Sequence, residues 1–241
     1  MPPPPHLPPR GEYRPRLLAS VLALAGKDLR LLPRQGGGLG QGLLLGLLLI
    51  FLFSLASAPG QPLPARMAAA VFWTASLFCQ TLLFSALYAL EETDGQRQGL
   101  LLTPLPLQAV WLGKALGGFC LLLAAQGLLL PATAVFLGQG AGSSWLPGLA
   151  VLLLADLGTA VLGSLLGALA QGSSARESLL GILLFPLQAP LLLAGIALGT
   201  AALGGPLPPD PNSWLILALA FDAVFLAAGL GLFAHIYNEG G

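Results

Sequence analysis

Charge is what this chain has least of. Only 8% of its 241 residues are Asp, Glu, Lys or Arg, ten basic and ten acidic, where an average soluble domain carries ~25%. A balance of zero leaves no basic face for nucleic acid, so no nucleic-acid partner is expected. Cysteine is also scarce: Cys79 and Cys120 fall in apolar stretches with no C-x-x-C spacing and no histidine nearby, which predicts two inert buried thiols and neither a metal nor a redox site. Histidine is confined to His6, in a proline-rich run, and His235, near the end of the last apolar stretch. Neither position offers an axial ligand facing a flat apolar pocket, so no bound haem or other cofactor is expected of this chain. The phosphate cradle G-x-x-x-x-G-K-[ST] is missing, since Gly26-Lys27 is followed by Asp28 and Gly113-Lys114 by Ala115. G-x-S-x-G and H-E-x-x-H are missing as well. The expectation is a non-enzyme with no catalytic and no metal-binding residue, whose ATP, if it uses any, is hydrolysed on another subunit.

What is present is hydrocarbon. Hydrophobic residues make up 56% of the chain, and a bilayer core requires about 20 apolar residues per helix. Six runs meet that length: 39–58, 66–90, 109–137, 146–170, 179–203 and 214–237. They are continuous rather than alternating, so helices and not barrel strands are expected. The fold class read from this pattern is an all-α integral membrane protein with six transmembrane helices. The run 1–16 is proline-rich and lacks the apolar core of a cleaved signal peptide, and it is expected to be a disordered cytoplasmic tail ahead of a six-span transmembrane domain at 17–241.

Basic residues set the orientation. With the N-terminus inside, Arg10, Arg14, Arg16, Lys27, Arg30, Arg34, Arg97, Lys114 and Arg176 are cytoplasmic, and Arg66 alone is outside. Both termini are therefore expected in the cytoplasm. Aromatic belts are expected at the outer ends, with Trp73, Trp145 and Trp214, and at the inner ends, with Tyr88, Trp111 and Tyr237. Small-xxx-small pairs at Gly42/Gly46, Gly113/Gly117, Gly163/Gly167 and Gly195/Gly199 predict close helix approach. Pro131, Pro186 and Pro190 predict kinks or flexible points.

Ahead of the first span, residues 17–32 read as an amphipathic helix lying in the membrane interface. Lys27, Asp28 and Arg30 occupy one flank, and Leu22, Ala25, Leu29 and Leu32 form an apolar stripe. Pro33 and the glycine-rich run 35–40 are expected to break this helix and form a flexible elbow. Within the spans, Asp156 and Asp222 are costly carboxylates that must pair, face a polar interior or carry a proton. Gln126 and Gln188 lie at comparable depth, and together these four are candidate cavity-lining residues.

The most informative stretch runs from Glu91 to Lys114, EETDGQRQGLLLTPLPLQAVWLGK. It leaves the second span and re-enters as the third on the cytoplasmic side. Asp94-Gly95 makes a turn, residues 96–103 suit a short surface helix with Leu100, Leu101 and Leu102 toward the membrane, and Pro104 and Pro106 end it. Asp94-Gly95, the run Leu100 to Leu107 and Lys114 together resemble the D-G-x-L-x-x-L…P-L-P-L…K stretch of the CcmB family, the haem exporter permease of cytochrome c maturation. Gly26-Lys27-Asp28-Leu29-Arg30 is similar to that family's K-D-L-R segment ahead of its first span. Arg176 to Leu180 with Leu184 to Leu191 resembles its R-x-x-x-L-L…L-P-L-x-x-P-L stretch.

The resemblance implies an ABC exporter permease-like subunit in a bacterial plasma (inner) membrane. Segment 91–106 would then be a coupling segment, with Glu91, Glu92, Asp94, Gly95, Arg97, Leu100, Leu101 and Pro104 as the ATPase contact. It implies a CcmA-like ATPase and a CcmC-like haem-handling membrane protein as partners, membrane lipids around the bundle, and a homodimer as expected for a half-permease. Haem would be the substrate, either exported or released on a chaperone. Three other readings of the residues remain open: an ABC permease for a lipid, glycan or drug, a proton-coupled carrier using Asp156 and Asp222, and a membrane assembly factor.

Overall fold

The computed structural model describes residues 17–35, 37–58, 60–92, 107–140, 142, 145–170 and 175–239. For 33–35, 90–92, 176, 177 and 234–239 it describes the backbone alone. The described residues form eight helices: α1 (Leu17–Gln35), α2 (Gly38–Ala56), α3 (Ala65–Glu92), α4 (Leu107–Phe136), α5 (Trp145–Leu169), α6 (Arg176–Leu187), α7 (Ala189–Ala202) and α8 (Pro211–Glu239). Five of them, α2, α3, α4, α5 and α8, are long and apolar enough to cross a membrane. The sixth expected span is two helices, α6 and α7, bent by 60° at Gln188. The break lies between Pro186 and Pro190. Proline 190 has no N–H for the carbonyl four residues earlier, and its ring collides with that carbonyl in a straight helix. The Gln188 backbone holds the joint: its N–H donates to Leu184 O at 3.0 Å and its carbonyl accepts from Leu192 N at 3.0 Å.

Helices α3 and α5 form the centre. Both bury most of their length, and α2, α4, α7 and α8 surround them. The outer surface is hydrocarbon, with Leu44, Leu48, Phe51, Leu52 and Leu55 exposed along α2 and Ile216, Leu219, Val224 and Leu232 along α8. Such a surface suits lipid, which solvates leucine as well as another leucine does. This is a multi-pass membrane protein.

Close packing depends on glycine, in two different ways. On α2 the stripe Gly38, Gly42 and Gly46 lies against the α3 backbone, where a Cβ on Gly42 would stand 2.9 Å from Cys79 Cα. Gly38 abuts Leu82 O and Ala86, so this glycine belongs to the helix interface rather than to a loose elbow, and α2 begins three residues after α1 ends. The other use is to seat rings. Gly163 and Gly118 clasp Phe84, Gly167 takes Tyr88, Gly195 and Gly199 take Trp73, and Gly229 takes Trp111. Tyr88, Trp111 and Trp73 are buried for that reason and do not form the interfacial belts expected of them, whereas Trp145 is exposed.

Helix α1 also departs from expectation. It continues through Pro33 to Gln35, because a proline in the last turn removes only one intrahelical hydrogen bond. Its buried face is Val21, Ala25, Asp28 and Leu32, and Leu22 is 61% exposed. The acidic side chain therefore faces the bundle, and Leu18 and Leu22 face away from it.

Candidate functional site

Of the residues assigned by sequence to the coupling segment, Asp94, Gly95, Arg97, Leu100, Leu101 and Pro104 lie outside the described residues. Glu91 and Glu92 close the backbone of α3. The structure describes the two legs that carry this segment, the end of α3 and the start of α4.

Lys114 joins those legs. It lies about two turns into α4, yet only 2% of it is exposed. Its Nζ donates to Leu87 O on α3 at 2.9 Å, approaches Asp28 Oδ2 on α1 at 3.6 Å and lies 4.9 Å above the Tyr88 ring. Asp28 is 1% exposed. Room for this contact comes from Gly113 and Gly117 on α4, where a Cβ would stand 2.7 Å from Leu24 Cβ and 3.5 Å from Asp28 Cβ. Lys27 also approaches Asp28, at 3.7 Å, from a side chain one-third exposed. The polar cluster continues through Tyr88 OH, which shares a 2.8 Å hydrogen bond with Ser164 Oγ on α5, while Ser164 Oγ lies 3.3 Å from Trp111 O. An ammonium and a carboxylate this well buried support each other, and removing one takes from the other its buried counter-charge, at a cost of up to about 3–5 kcal/mol. Lys114, assigned by sequence to the cytoplasmic side, is buried inside the bundle. Arg30, by contrast, is exposed.

A second polar layer lies deeper. Gln126 Nε2 on α4 donates to Asp156 Oδ1 on α5 at 2.8 Å. Gln188, at the α6–α7 bend, donates through Nε2 to Thr159 on α5 at 3.2 Å and accepts through Oε1 from Gln80 on α3. The Asp222 carboxylate on α8 is buried against Gly158 of α5 and has no hydrogen-bond partner among the described residues. The four intramembrane residues named from sequence therefore divide between two hydrogen-bonded sets and one isolated carboxylate. None of them lines the apolar cavity of about 450 Å³ between the ends of α3, α4, α5 and α7, which is walled by Phe72, Trp73, Pro131, Trp145, Leu149 and Leu203 among others.

Sequence reasoning missed Gln80, Thr159, Tyr88 and Ser164 as members of these layers. Gln80 carried a usable signal, an amide inside an apolar run that must find a partner when no water is present. The pairing of Asp28 with Lys114 carried none, since their separation in sequence says nothing of helix rotation.

Residues 19–236 match the CcmB protein family. The chain is 35% identical over 182 residues to Heme exporter protein B of Rhodobacter capsulatus, covering 73% of this chain and 80% of that protein. It is 34% identical over 219 residues to Heme exporter protein B of Pseudomonas aeruginosa, covering 86% and 94%. The protein of the same name in Paracoccus denitrificans is 30% identical over 206 residues, covering 85% and 92%.

Proposed function

The chain belongs to the CcmB protein family, and on that premise we propose that it is the membrane permease subunit of an ATP-driven complex exporting haem for c-type cytochrome assembly. The observation that carries this reading is the alignment of nearly the whole chain, end to end, with relatives named for haem export. Two features of the chain support the division of labour. It has no phosphate-binding motif of its own, and the two helix ends that flank residues 93–106, the end of α3 and the start of α4, are tied together by a buried lysine.

In this assignment the complex lies in the bacterial inner membrane with both termini of the chain in the cytoplasm. Segment 91–106 docks on a CcmA-like ATPase, which binds and hydrolyses ATP, and a CcmC-like membrane protein hands over or receives haem. The chain itself is non-catalytic. Helix α1 lies at the cytoplasmic interface with Leu18 and Leu22 toward lipid. A second copy of the chain completes the half-permease. Haem is substrate and not a resident cofactor.

Deletion of the gene followed by haem staining of c-type cytochromes tests the reading. Loss of the stained cytochromes, restored by the chain in trans, is expected. Unchanged cytochromes in the deletion strain would remove haem as the substrate and leave the lipid, glycan or drug permease.

A further inference from the structure

We propose that Asp28 and Lys114 form a clasp through which movement of the adjoining ends of α3 and α4 is delivered to α1, so that these two are positioning residues of the transport cycle. Lys114 touches both of these legs. Its ammonium is bonded to Leu87 O on the outgoing leg, while its backbone belongs to the incoming leg. The same ammonium faces Asp28, the buried acid of α1, at 3.6 Å. Next to Lys114, Gly113 lets α1 approach closer than any side chain would allow, with Leu24 over it, and one turn on Gly117 lies under Ala25 and Asp28.

These contacts make the legs and α1 a single body at this level. A shift of the legs that left α1 behind would pull apart a carboxylate and an ammonium with almost no access to water, which is what makes the contact stiff. Helix α1 in turn ends three residues before α2 begins, and α2 is registered on α3 by the Gly38, Gly42 and Gly46 stripe. The path therefore runs from the ends of α3 and α4 through the Lys114–Asp28 pair to a helix outside the core and on to the first span. A plain staple would hold α1 in place and carry no such movement, and the two roles separate by experiment.

This inference rests on the proposed docking of segment 93–106 on an ATPase. The test uses the full complex in lipid nanodiscs and measures amide hydrogen exchange without nucleotide and with the ADP–vanadate complex trapped after ATP hydrolysis. In the wild-type complex, exchange across 17–35 is expected to differ about three-fold or more between the two states. The informative variant is the doubly neutral Asp28→Asn/Lys114→Met, which removes both charges and so strands neither. It is expected to accumulate with its ATPase bound, keep ATP turnover within about two-fold of wild type, and lose the nucleotide-dependent change in α1. Cytochrome yield in the complemented deletion strain should fall about ten-fold. The charge-reversed pair Asp28→Lys/Lys114→Asp should recover both in some measure.

An α1 that still responds to nucleotide in the neutral variant, or never responds in the wild type, overturns the clasp while leaving the ATPase assignment standing. A complex that retains no ATPase overturns that assignment and the clasp with it. Cytochromes that persist in the deletion strain count against haem alone, because the exchange measurement does not depend on substrate.

Discussion

The two polar layers of this bundle meet the cost of polarity in hydrocarbon differently. At the end that carries segment 93–106, opposite full charges face each other across three helices, Asp28 on α1 and Lys114 on α4 with Leu87 O of α3. Deeper in, amides take the place of the cation: Gln126 serves Asp156, Gln80 and Thr159 serve Gln188, and Asp222 has only the space left by Gly158. A charge pair is worth much when whole and costs much when split. A cross-helix amide bond in a membrane is worth less, about 0.6 kcal/mol on average, because a loosened helix finds other partners in the same bundle. The first layer suits a junction that must stay joined, and the second suits helices that rearrange.

The contrast can be broken most severely at Lys114. Lys114→Met takes from Asp28 its buried counter-charge, leaving Lys27 at 3.7 Å, and is expected to lower unfolding free energy in detergent by up to about 3–5 kcal/mol, read from intrinsic tryptophan fluorescence during denaturation. Restoring stability with Asp28→Asn in the same chain would confirm the pairing, and additive losses would refute it. Next in size is a packing control independent of both layers. Gly163→Leu drives a side chain into Phe84, only 2.5 Å from where its Cβ must go, and should cost about 1–3 kcal/mol. No change in melting temperature would mean that α5 does not seat this ring.

Smaller again is Gln188→Leu, which leaves Gln80 and Thr159 short of one partner each. A loss of about 0.6–1.7 kcal/mol is expected, measured in the same denaturation series. A loss matching that of Lys114→Met would erase the distinction between the layers. Asp222→Asn is expected to be near neutral for stability, since no described residue bonds its carboxylate. Transport measured beside stability then has diagnostic value: abolished transport in a stable variant favours the proton-coupled carrier, and mild loss favours the ATP-driven permease. The smallest effect belongs to Lys27→Met. Its pair with Asp28 is partly exposed, so less than about 0.5 kcal/mol should be lost.

Depth was legible in the sequence and rotation was not. Run lengths located all five long helices within a few residues, because the thickness of the bilayer fixes the number of apolar residues a helix needs. The same arithmetic counted 179–203 as one span, since hydropathy ignores the angle that Pro186 and Pro190 impose at Gln188. Trp111 and Tyr88 lie at the expected ends of their helices but turn inward, onto Gly229 and Gly167. Residue position gives height along a helix, and only a neighbour's missing side chain decides which way a ring points. The same gap hid the pairing of Asp28 with Lys114, one read as a flank charge and the other as a basic residue of the cytoplasmic side. Gln80 escaped notice because a single amide barely lowers the hydropathy of a run as apolar as 66–90.

The 60° joint at Gln188 has a geometric corollary for the space above it. Helix α7 leaves this joint like the arm of a caliper, and the far end of the arm, Gly199, Ala202 and Leu203, is one jaw of the cavity of about 450 Å³. At about 1.5 Å per residue the arm to Leu203 is about 22 Å long, so each ~10° of flexing moves that jaw about 4 Å. Trp145 and Leu149 on α5 are the opposing jaw. The aperture of the chamber is thus set at its remote pivot, where one glutamine side chain is gripped from two sides.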